Sequence, residues 1–141
     1  MNKEQENKIL EMKEADIIAK LKGTYEAPTA TIVLDRIGIP IVLKGLTRKE
    51  MDKARKNSIG GKKKELNNAV YDANIVIAAT TNFDWEAAKP DNISDGAQFI
   101  MRKLLAGEIS NLASKVLELS GYNDELEEEE EIKNSSEEAE E

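Results

Sequence analysis

The chain has 141 residues, 40% of them hydrophobic and 34% charged, with a formal net charge of -8. That length suits one modest core, and the polar excess suits a soluble globular protein. Cysteine and histidine are both absent, which excludes disulfides, thiolate nucleophiles and cysteine metal sites and removes the commonest general base and metal ligand.

No catalytic, cofactor-binding or metal-ligating set is expected, so the chain reads as something other than an enzyme. It holds no run of about eighteen apolar residues, and no membrane span is expected. The opening MNKEQENKILEMKEAD is charged throughout and lacks an apolar signal-peptide core. The expected location is cytoplasmic. Charge is unevenly placed: residues 123–141 hold eleven acids and one base, a net of -10, leaving seventeen acids and nineteen bases, a net of +2, for the rest. The expected organisation is a flexible stretch at 1–8, one α+β domain at 9–122 and a disordered acidic tail at 123–141.

In chain order, a helical pattern runs from Ile9 to Lys22, with Ile9, Leu10, Ile17, Ile18 and Leu21 as its apolar positions and Gly23 as its stop. Residues 24–30, with Pro28, read as a connector. TIVLDRIGIPIVLK, from Thr31 to Lys44, is rich in β-branched residues and is interrupted at Asp35 to Gly38, the pattern of a hairpin. Pro40 cannot donate to a ladder, so its strand should begin there or lie at an edge. Thr47 followed by Glu50 fits a capping box and starts a helix to about Lys56. Asn57 to Gly61 reads as a loop.

Glu65 to Ala79 predicts a longer central helix, with Leu66, Val70, Ala73 and Ile77 on a stripe widened by Tyr71, Ile75 and Val76. Thr80 to Asp91 reads as a loop with a short turn from Asp84. Ser94 or Asp95 caps the next helix, with Ala97, Ile100, Met101, Leu104 and Leu105 inward. Gly107 is expected to break it. The last helix, Glu108 to about Leu119, has the stripe Ile109, Leu112, Val116 and Leu119, and Gly121 sits where a Schellman stop needs a left-handed residue. The pattern predicts α+β: a small antiparallel β-hairpin packed with about five helices, then the tail.

SIGGKKKE resembles a phosphate loop only superficially. Lys56 stands where the first glycine belongs, and Lys63 stands where Ser or Thr should follow the lysine. The segment 44–64 offers a candidate basic surface of Arg48, Lys49, Lys53, Arg55, Lys56, Lys62, Lys63 and Lys64. Such a patch can bind phosphate backbones, which makes a small nucleic-acid-binding regulator the alternative function. Few aromatics are available for base stacking and the tail would compete for the charge, so a solvated face is preferred and nucleic acid is disfavoured as a partner. A third use is to hold the acidic tail. The two C-terminal helices permit a helix-turn-helix reading, but the second offers a groove only Asn111, Ser114 and Lys115.

The order of these features resembles one family. The hairpin leads into the capped helix at Leu46 to Glu50, then a long helix, a Pro90-Asp91 loop and LLAGEISNLASKVLELSGY at Leu104 to Tyr122. With Leu105 to Ile109 and the Leu119 to Tyr122 end as its signature, the chain resembles the XkdN-like tail assembly chaperones of contractile-tail phages and phage-tail-like particles. The resemblance spans roughly Ile9 to Tyr122, departs in the loop TTNFDWEAAKPD and leaves the acidic tail outside.

It implies a chaperone that binds the tape-measure protein, keeps it soluble, helps recruit the tail tube protein in the bacterial host cytoplasm and is absent from the finished particle. Self-association is a further expected possibility. Leu105, Ile109, Leu112, Val116, Leu119 and Tyr122 are the candidate partner-binding residues. For Leu112, Val116 and Leu119 taken singly a core position is favoured, because stripes at helical spacing usually face inward.

Overall fold

A computed structural model describes residues 2–60 and 65–122. Among these residues it has seven helices and two small antiparallel sheets, an α+β arrangement. The helices number seven rather than about five because the first divides in two and the turn after Asp84 is itself helical.

Helix α1 spans Lys3–Leu10, earlier than the Ile9 start expected, because Asn2 and Gln5 form a capping box at its start. Helix α2, Glu14–Leu21, follows after a break at residues 11–13. The hairpin is β1 (Thr29–Leu34) paired with β2 (Ile39–Lys44), in a register that sets Ile32 opposite Ile41 and Leu34 opposite Ile39. Alternation puts Ile32, Leu34, Ile41 and Leu43 towards the core and Thr31, Val33 and Pro40 outward. The turn closes through the Leu34 carbonyl, which accepts from the Gly38 N–H at 2.7 Å, with Gly38 at φ +79° where only glycine sits without strain.

On the far side of β2, Thr81 N–H donates to the Val42 carbonyl at 2.9 Å. The Asn82 amide donates to the Pro40 carbonyl and accepts from the Val42 N–H, both at 3.0 Å. Asn82 thus follows the backbone pairing where the Pro40 ring prevents a regular ladder.

Helix α3, Arg48–Lys56, starts on the expected capping box: Glu50 N–H donates to the Thr47 hydroxyl, and the Glu50 carboxylate accepts from the Thr47 N–H. The expected loop after it contains β3 (Ile59–Gly60), which pairs with β4 (Glu65–Leu66). Helix α4 therefore begins at Asn68 rather than Glu65, capped by Asn67. It runs to Ala79 and packs against α3, β2 and the last two described helices as the central element. Its buried residues are Ala73, Ile75, Val76 and Ala79. Ser58, buried between α3 and α4, is fully partnered, donating to the Ala54 carbonyl and accepting from the Asn74 amide.

Helix α5 is one turn, Trp85–Ala88, capped by Asp84. Trp85 is buried against Phe83 and Phe99 at ring separations of 4.7 and 6.2 Å, and its indole N–H donates to the Thr80 hydroxyl.

Helix α6 is Gly96–Lys103, capped by Asp95. It buries Ala97 and Ile100, with Leu104 just beyond; Met101 and Leu105, expected inward, point outward. Gly107 does not break the helices. The chain turns at Leu104 and Leu105, and α7 (Ala106–Leu119) carries Gly107 in its first turn. Leu104 is drawn into the core, and Glu108 restarts the helix by accepting from the Leu105 N–H at 2.8 Å. Helix α7 ends in a Schellman motif: Gly121 N–H donates to the Glu118 carbonyl and Tyr122 N–H to the Leu117 carbonyl, with Gly121 at φ +91°.

Candidate partner-binding surfaces

The stripe of α7 faces the hairpin and α4. Ile109, Leu112 and Val116 are buried, and Leu119 is half-buried against the same core. Burying an aliphatic side chain of this size contributes about 1.5–3 kcal/mol, so these residues hold the body together in this conformation. That is a correction to their place among the partner-facing candidates, and its cause is the helical period that put them on one face. Leu105 and Tyr122, at the two ends of α7, are 58% and 56% exposed.

The corner before α7 is fastened from the hairpin turn. Arg36 makes a two-pronged contact with Glu108, at 2.6 and 3.1 Å, and also donates to the Lys103 carbonyl. Its guanidinium, then the Leu105 N–H, hold the Glu108 carboxyl below its ordinary range. The Glu50 carboxyl is likewise lowered, first by the Thr47 N–H and then by Lys44, 3.0 Å away. Burial pushes the Asp72 carboxyl upward.

Along α3, Arg48, Lys49, Lys53, Arg55 and Lys56 are all exposed, while Met51 and Ala54 face inward. These five form an exposed basic face on α3. Lys62, Lys63 and Lys64, expected to extend it, lie outside the described residues. Among the described residues, no three acidic side chains converge on a possible metal site, and no helix is long and apolar enough to cross a membrane.

The largest departure from expectation lies at α1 and α2. Neither helix buries a residue. Ile9, Leu10, Ile17, Ile18 and Leu21 all remain open, as does Tyr25 in the connector. The Tyr25 hydroxyl donates to the Lys20 carbonyl at the end of α2, which turns its ring back along the helix. Ile9, Met12, Ile17, Lys20, Leu21 and Tyr25 line a shallow groove of about 580 Å³. Sequence periodicity found these apolar positions but not their exposure. The available signal was that Ile9 and Leu10 are the only large apolar residues of α1, too few for a core-facing stripe.

Fold and surfaces together define a small α+β protein with a closed core and two open faces, apolar on the N-terminal helices and basic on α3. The crystal structure of the protein yqbn is similar, with a TM-score of 0.51 over 70% of this chain and 88% of that one at 21% identity, a likeness of fold. No curated protein matches the chain. The chain belongs to the phage XkdN-like tail assembly chaperone family, whose model matches residues 10–133. That match continues past Tyr122 through the glutamate run, so much of the acidic tail, expected to fall outside, lies within the family region. Membership implies a tail-protein partner.

Proposed function

We propose that this chaperone binds the tape-measure protein of a contractile tail, keeps it soluble in the host cytoplasm until the tube encloses it, and leaves before the particle is complete. The role is one of binding, without catalysis. The observation that carries this reading is a core that closes without α1 and α2, leaving their large apolar side chains available to a partner. A long helical protein awaiting assembly exposes the complementary apolar stripes. The acidic sequence at 123–141, with its net charge of -10, would oppose clustering of the complexes formed. Co-expression with the tape-measure protein is the test. A several-fold rise in the soluble fraction of that protein is expected, and equal insolubility with and without this chain would defeat the reading.

The exposed basic face of α3 favours the competing role of nucleic-acid regulator. Absence of any gel shift with duplex DNA at physiological salt would remove that alternative.

A further inference from the structure

We propose that the groove between α1 and α2 is a docking site for one amphipathic helix of the partner, with an apolar stripe flanked by acidic residues. This deepens the chaperone reading and rests on it. The two helices present apolar surface at high exposure, 82% at Leu10 and 78% at Leu21. Of the groove's own lining, Ile9 is 51%, Ile17 45% and Tyr25 67% exposed, so its apolar surface is open.

The shape and charge of the site select the occupant. The groove is concave, about 580 Å³, with an almost wholly apolar lining, so what fills it is a ridge of several aliphatic side chains. An amphipathic helix offers such a ridge at positions i, i+3, i+4 and i+7. Lys20 is the one charged residue lining this groove, and in the cavity that adjoins it Lys8 and Lys20 stand against Asp16, which favours acidic residues beside the incoming stripe. A second copy would bring one concave face against another and leave both unfilled. The chain's own segment 123–141 has the acids but only Leu126 and Ile132 as large apolar residues, six apart and on no common helical stripe.

The probe is a designed amphipathic peptide, about eighteen residues long, with leucines at helical spacing and glutamate flanks. Full-length protein is titrated into the labelled peptide and followed by fluorescence anisotropy. Binding in the micromolar range is expected. Leu21→Glu should weaken it at least about tenfold, and Lys20→Glu should shift preference towards a lysine-flanked version of the peptide. Neither substitution touches a buried residue, and an unchanged thermal melt confirms the fold.

No binding by the unaltered protein, or equal binding by Leu21→Glu, overturns the proposal. So does a sedimentation profile showing a dimer that Leu21→Glu dissolves, because the groove then serves a second copy. Co-expression separates the two levels: rescue of the tape-measure protein by both the unaltered chain and Leu21→Glu overturns the groove alone. Failure of the unaltered chain to rescue it defeats the function proposed above.

Discussion

Gly45 offers a sharp test of how the hairpin, α3 and α7 are joined. It is buried at the link between β2 and α3, its N–H donates to the Pro28 carbonyl at 2.9 Å, and the next N–H, of Leu46, donates to the Ser120 hydroxyl at 2.8 Å. A Cβ at Gly45 would come closer than 3.0 Å to the carbonyl of Leu119, at both its oxygen and its carbon. Both are backbone atoms, so no side-chain rotation relieves the overlap. The link must move away from the last turn of α7, which breaks the Leu46–Ser120 bond. Overpacking of this kind costs 1–3 kcal/mol, and a lost hydrogen bond about 1 kcal/mol.

After the small gain that alanine makes in the unfolded chain, Gly45→Ala should destabilise by about 3 kcal/mol. A folded body of roughly 120 residues loses about 4 °C per kcal/mol, so the melting temperature should drop by about 12 °C. The assay is circular dichroism melting, with urea unfolding as a second measure. Gly107→Ala is the matched control, since nothing lies within 4 Å of its added Cβ and the site is helical. It should be neutral or stabilising by up to about 1 kcal/mol. A Gly45→Ala protein melting within about 2 °C of the unaltered chain would refute the close approach.

Gly121→Ala forces a side chain into the left-handed region at φ +91°. It should cost about 1 kcal/mol, seen as a melting temperature lower by about 4 °C. On acidification from about pH 6 to about pH 3, the protein should lose stability. Glu50 and Glu108 titrate below the ordinary value of 4.5 in the fold, so their contributions are full above that value and vanish as pH falls through their folded values. Asp72, raised above 3.8, has the opposite sign: its contribution is full below that value and lost as pH rises through its folded value. Two of the three shifted carboxyls thus carry the sign that loses stability on acidification. Glu108→Gln should flatten the acid limb of a melting-temperature profile, and an unchanged limb would show that its pairing with Arg36 is broken in solution.

What was legible in the sequence was local. Thr47 and Glu50 lie three residues apart and satisfy each other within one turn, so the start of α3 could be read directly. The same holds for the stop at Gly121 and for the hairpin, whose turn and β-branched strands are contiguous. Of two breaks in the helical pattern, one was not legible and the other was read at the wrong residue, because neither coincides with glycine or proline. Residues 11–13 separate α1 from α2 with neither residue type present. At the other break, Gly107 drew attention away from Leu104 and Glu108, whose burial and capping decide the turn.

The Arg36–Glu108 clasp joins groups 72 positions apart, which no periodicity reveals. For the candidate site, helical spacing identified α7's stripe correctly as one face but could not say whether that face meets a partner or the hairpin. The exposure of α1 and α2 was hidden for the converse reason: their apolar positions look like half of a core contact, and the other half is missing.

The Asn82 side chain and the Thr81 backbone also bear on how the protein avoids harming itself. A two-stranded sheet has two flanks of unpaired amides and carbonyls, each a template for another extended chain. Here the flank of β2 is occupied by Thr81 and Asn82, and Pro40 withholds a donor from any intruder. Among the described residues, nothing pairs with the outer flank of β1. A protein with the shielding role proposed above would gain little from recruiting its partner into a growing ribbon, and this sheet leaves one side on which that could begin.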